Sequence, residues 1–166
     1  MAALPPFAAI IVAAGRGLRA GRSGPKQFAP WRGKPLLRHS VAAFINLGAD
    51  PVVVAIPPDA DDLARKALAD LERVRLVTGG ATRQLSVRAA LEALAEVPPA
   101  TVLIHDAARP ELPAAVVERL LKALVGHPGA IPVLPVVDSV ALGANGLMAA
   151  TIDRDELRRV QTPQAF

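Results

Sequence analysis

Cysteine is absent from the 166 residues, which excludes disulfides and thiolate metal sites and leaves a reduced cytoplasm as the expected compartment. Tyrosine is absent as well. One Trp and four Phe are all the aromatics there are, too few to stack on exposed bases, so no nucleic-acid partner is expected. Long apolar runs are also missing. The first, residues 8–14, is about half a membrane span and has no basic residue before it, so it is expected to be a strand of a soluble protein rather than a signal peptide or a membrane helix. The most uneven absence is of negative charge: no carboxylate precedes Asp50, while the same stretch holds seven Lys or Arg. A positive field confined to one end of the chain suits a phosphate-rich ligand.

What is present is enough for one sizeable core. With 52% hydrophobic residues, the chain is expected to close a single domain over 1–166. Short β-branched runs at 8–13, 51–56, 74–77, 101–105 and 130–137 read as continuously apolar, the pattern of strands covered on both faces. Helical spacing lies between them. Leu37, Val41 and Phe44 form one face that Gly48 would end, Val87, Leu91 and Leu94 form another that Thr82 would cap, and a third helix is expected from about Pro113 to Gly126. Alternation of this kind predicts a three-layer α/β/α sandwich, Rossmann-like, with a mostly parallel sheet. Beyond Asp138 the period is lost. Small residues flank the turn signal Asn145-Gly146, and the segment at about 138–157 is expected to be a protruding β-arm.

The first strand runs into Ala13-Ala14-Gly15-Arg16-Gly17-Leu18-Arg19 and then Pro25-Lys26-Gln27. Glycines after a strand let backbone N–H groups approach phosphate oxygens, and the basic side chains add charge. The GxxxxGK[ST] pattern of a P-loop is not there, and a dinucleotide fingerprint fits poorly because Ala20 stands before Gly21.

The stretch VAAGRGLRAGRSGPKQF resembles the GxGxRxxxxxPKQ loop of nucleotidyltransferases. Four further segments, GGATRQLSVRAAL, IHDAARP, PVVDS and DRDELRRVQTPQAF, follow in the order found in methylerythritol phosphate cytidylyltransferases, so the resemblance covers nearly the whole chain. It implies a nucleotidyltransferase fold and transfer of CMP from CTP to 2-C-methyl-D-erythritol 4-phosphate, with release of pyrophosphate. Arg19 and Lys26 would be the catalytic cations. Ala13, Ala14, Gly15 and Gly17 would cradle the triphosphate, and Gly79, Gly80, Ala81 and Ser86 would read the cytosine. Ser86 lies one turn into a helix, where a hydroxyl has no strong packing reason to be. Asp106 and Ala107 follow an apolar strand at its carboxyl end, and Asp106 would hold Mg²⁺ or another divalent cation against the phosphates. Arg109, Ser139, Arg154 and Thr162 would hold the acceptor, with Arg154 reaching a partner's site across a homodimer exchanged through the arm. Arg16 and Arg22 would only add to the field. His105 is expected to be a packed strand residue rather than a base, since an ionised phosphate needs no proton removed. Two other activities fit the same motifs: cytidylyl transfer to another polyol phosphate such as ribitol 5-phosphate, and CTP binding without catalysis. The resembling enzymes continue with an NxKxTxPED-like motif that finds no match here, from which weak turnover by these 166 residues alone is expected.

Overall fold

The computed structural model describes residues 4–15 and 25–166. Its centre is a five-stranded sheet built from β1 (Ala8–Val12), β4 (Val52–Ile56), β5 (Val74–Thr78), β6 (Val102–Asp106) and β11 (Gln164–Ala165), in the order β11-β6-β1-β4-β5. The first four run parallel, and β11 closes one edge antiparallel to β6. Each parallel step needs a crossover, supplied by α1 (Leu36–Asn46), α2 (Asp61–Ala67) and α3 (Arg83–Leu94), and α4 (Ala114–Ala123) follows β6.

Alternation along β1 shows how the sandwich forms. Ala9 and Ile11 join one core with Leu37, Val41 and Phe44 of α1, Ala64 of α2 and Val117 and Leu120 of α4. Ala8 and Ile10 face the other way and meet Ala90 and Leu94 of α3, so both faces of the strand are covered. Three layers result, as the alternation of runs implied. Helix ends follow local chemistry. Thr82 caps α3 by accepting a bond from the Leu85 N–H at 3.1 Å, and Gly48 ends the turn after α1 at φ +86°, a left-handed conformation that suits glycine.

Two sequence expectations need correction, and one helix was not expected. The run at 130–137 is not a buried strand: only β7 (Val133–Pro135) is extended, all three residues are exposed, and it pairs antiparallel with β10 (Arg158–Val160) outside the main sheet. Leu91 lies on the outer side of α3, where Ser86, Ala90 and Leu94 are the buried residues. Helix α2 was not foreseen, because it is short and only Ala64 and Ala67 are buried on it. Two small hairpins complete the elements, β2 (Pro30–Trp31) with β3 (Lys34–Pro35), and β8 (Ala141–Ala144) with β9 (Leu147–Thr151). The second turns at Asn145 and Gly146, both at positive φ, as the turn signal required.

Candidate active site

Strand β1 is the point where the chain's progress across the sheet reverses: β4 and β5 are laid down on one side, β6 and β11 on the other. Loops leaving the carboxyl ends of neighbouring strands diverge there and leave a crevice. A cleft of about 950 Å³ occupies this position. Ala13, Ala14 and Gly15 leave β1 along one wall, with Lys26 and Gln27 beside them. Gly79, Gly80, Ala81 and Ser86 form the opposite wall after β5, and Asp106 and Ala107 form the floor after β6. Ten expected site residues therefore share one cleft. Gly17 and Arg19 lie outside the described residues, as do Arg16 and Arg22.

The glycines are explained by close approach. A Cβ on Gly79 would lie 2.4 Å from the Ala14 Cβ and 2.8 Å from the Ser86 Oγ, and one on Gly80 would lie 2.3 Å from the Leu85 Cβ. The expectation that Ser86 has no packing reason is wrong. The side chain is buried, and its hydroxyl accepts from the Gly80 N–H at 3.1 Å while lying 2.9 Å from the Thr82 carbonyl, which fixes the loop from within the helix. Sequence reasoning also passed over Gln27. This buried amide donates to the carbonyls of Ala13 and Gly15, the latter at 3.1 Å, and so clasps the start of the glycine-rich loop to the residues that follow it. Its place in the PKQ motif was the available signal.

Asp106 is approached by two guanidinium groups. Arg83 Nε donates to its Oδ1 at 3.0 Å, and Arg109 Nε stands 3.8 Å from its Oδ2. Arg83 was not foreseen as a site residue, although it lies within a quoted motif and lines the cleft. Arg109 also donates to the Gln161 side-chain Oε1. Behind the floor, His105 is buried at 1% exposure. Its Nε2 lies 2.9 Å from the Arg109 carbonyl and its Nδ1 lies 3.0 Å from the Thr162 hydroxyl, which in turn accepts from the Asp106 N–H at 3.3 Å. Of the two neutral tautomers, one satisfies all three contacts: Nε2–H donates to the Arg109 carbonyl and Nδ1 accepts from the Thr162 hydroxyl. Burial favours the neutral ring, lowering the imidazole pKa below its ordinary value of 6.5 against weaker opposing contributions from the Arg109 carbonyl and Asp106. The ring is a packed strand residue, as expected.

Thr162 and Arg109 therefore adjoin the floor without lining the cleft, and Ser139 and Arg154 sit at the root of the arm. There Arg154 donates to the Val137 carbonyl at 2.9 Å.

Residues 7–166 match the family model described as IspD, 2-C-methyl-D-erythritol 4-phosphate cytidylyltransferase. The chain belongs to the IspD family. It is 64% identical over 163 residues to a bifunctional IspD/IspF enzyme of Erythrobacter litoralis, covering 98% of this chain and 42% of that protein. It is 49% identical over 162 residues to a 2-C-methyl-D-erythritol 4-phosphate cytidylyltransferase of Cereibacter sphaeroides, covering 96% of this chain and 72% of that one. The fold matches the crystal structure of the Thermus thermophilus cytidylyltransferase with a TM-score of 0.74 at 34% identity, over 96% of this chain and 70% of that one. The chain thus spans about two fifths of the bifunctional relatives it matches. For this IspD-family domain, the nucleotidyltransferase α/β fold read from alternating runs and motifs is the observed one.

Proposed function

We propose that this domain transfers CMP from CTP to 2-C-methyl-D-erythritol 4-phosphate and releases pyrophosphate. Membership of the IspD family supports the reading. The observation that carries it is the shared cleft: the glycine-rich strand end and Lys26 face the glycine loop of Gly79 and Gly80 across Asp106. The arrangement separates two tasks. Backbone groups of Gly79–Ala81 recognise the base, held in shape by Ser86, while the residues after β1 receive the phosphates. An ionised acceptor oxygen attacks the α-phosphorus in line with the departing pyrophosphate, a reaction that asks for positioning and charge neutralisation rather than a covalent intermediate. Lys26 and Arg19 are assigned to the charge that builds on the phosphoryl oxygens, the first as a compact ammonium and the second as a fork.

Arg109, Ser139, Arg154 and Thr162 are assigned to the acceptor. The arm supports a homodimer: every residue of β8 and β9 is exposed, Leu147 and Met148 by more than two thirds, and an isolated two-stranded hairpin is marginal in water. No helix among the described residues is long and apolar enough to cross a membrane. A cytoplasmic enzyme is the reading we adopt.

A divalent cation fits the donor set. The described residues hold no group of three or more His, Cys, Asp or Glu, so no protein cage exists among them. Mg²⁺ is commonly held by one or two carboxylates together with substrate phosphates, and Asp106 supplies one such carboxylate on the cleft floor. Bound there, the cation would neutralise phosphate charge.

Pyrophosphate release, measured with each of four nucleoside triphosphates and with both methylerythritol phosphate and ribitol 5-phosphate, tests the assignment. Turnover is expected for CTP with methylerythritol phosphate. Preference for another triphosphate, or for ribitol 5-phosphate, would overturn it.

A further inference from the structure

Both oxygens of Asp106 face arginine nitrogens, but the two arginines are not equivalent. Arg109 belongs to the same loop, stands farther off at 3.8 Å and does not line the cleft. Arg83 comes from α3, on a different segment of the chain, and its Nε makes the shorter contact at 3.0 Å. Its Nη2 also donates to the Gln164 side-chain Oε1 at 3.3 Å, so the guanidinium bridges the floor and the edge strand. Helix stability does not account for it. Arg83 is the first residue of α3, where the helix dipole disfavours a cation, and no acidic residue in that turn offsets it. Asp106 is its only carboxylate partner among the described residues. Its side chain is 45% exposed and that of Asp106 34%, so water and ions reach the pair from the cleft.

A hard cation on Asp106 would share a carboxylate whose Oδ1 already accepts from Arg83, and two cations crowded on one carboxylate repel each other. We propose that Arg83 is a place-holding cation: it occupies Asp106 in the nucleotide-free protein, competes there with a divalent metal, and turns to the phosphates when metal and triphosphate enter together. The proposal rests on the cytidylyltransferase reading, in which Asp106 faces metal and phosphate. Its consequence is order of binding. Metal alone meets a carboxylate already paired with a guanidinium, whereas metal carried on a triphosphate brings oxygens that give the displaced guanidinium a new partner. Arg83 is thereby a positioning residue for Asp106 and a contact for the nucleotide.

The test uses Mn²⁺ alone as probe, with free Mn²⁺ read by its electron paramagnetic resonance signal in titrations of nucleotide-free protein. Arg83→Gln is expected to bind Mn²⁺ several-fold more tightly than the wild type, and Arg83→Lys to restore weak binding by returning the charge. The double variant Arg83→Gln/Asp106→Asn is expected to lose the gain. Circular dichroism of each variant establishes folding. With CTP added at saturating Mn²⁺, Arg83→Gln is expected to bind nucleotide more weakly than the wild type. Equal or weaker Mn²⁺ binding by Arg83→Gln, or a gain that survives in the double variant, would overturn the place-holder. Because that titration contains no nucleotide, such a result leaves the transfer reaction untouched, whose own failure is read in pyrophosphate release.

Discussion

Two walls of the cleft touch at Gly79, where a hydrogen is all that fits between Ala14 and the Ser86 hydroxyl. An added methyl group must push the two loops apart or twist the Ser86 rotamer, and overpacking of this kind typically costs about 1–3 kcal/mol. Gly79→Ala is therefore expected to lower the unfolding temperature and to weaken CTP binding, measured by thermal melts and nucleotide titration. Gly126→Ala serves as the control, since no atom lies within 4 Å of its Cβ position. Wild-type CTP affinity in Gly79→Ala would remove the close approach from the account of the site. The glycines were legible as a loop from sequence, but the reason for them was not, because Ala14 lies 65 residues away along the chain. Arg83 and Gln27 were hidden for the same cause. A motif quotes such residues without saying which of them turn inward, and only the fold brings Arg83 to Asp106 or the Gln27 amide to the Ala13 carbonyl.

Elements were legible where burial is two-sided. Strands β1 and β4 and helix α1 carry patterns that a covered sheet and an amphipathic helix dictate, and they lie within a residue or two of where pattern places them. Strand β7 shows the converse. Its Val and Leu suggested a core strand, yet these side chains are 44–46% exposed and pair with β10 at the base of the arm. Apolarity alone cannot distinguish a side chain buried in its own core from one held for another surface. On the proposed reading, that surface belongs to a second copy. Arg154 would then act in the partner's site from its seat on the Val137 carbonyl. Mixing Arg154→Ala subunits with Lys26→Ala subunits in a catalytically active form is expected to restore activity, since one of the two sites in a heterodimer would hold both side chains. Persistent inactivity after subunit exchange is shown by mass spectrometry of the mixture would count against the exchanged arm.

At the scale of the molecule, the cleft floor and the segment leading into the last sheet strand are linked through His105. The ring packs at 5.3 Å from the Phe44 ring of α1, and its two nitrogens connect the loop after β6 to Thr162, two residues before β11. Protonation would put a hydrogen on Nδ1, which in the neutral ring accepts from the Thr162 hydroxyl, and would place a charge where burial disfavours it. The folded-state pKa is lowered from 6.5, so below that pH the unfolded chain takes up a proton that the folded chain resists. Folding stability from this group is complete above pH 6.5 and declines as pH falls from 6.5 towards the depressed folded value. Below that value no further loss comes from His105. Carboxylates titrate lower, near about pH 4, so the upper part of the decline separates from theirs. Melting temperatures taken from about pH 8 down to about pH 5.5 are expected to fall in the wild type once the ordinary histidine range is crossed. His105→Gln is expected to be less stable near neutrality, through its imperfect fit, but to show a shallower decline. Parallel profiles for the two proteins would mean that His105 stays uncoupled from folding, and that the network joining the cleft floor to β11 adds no pH-dependent stability.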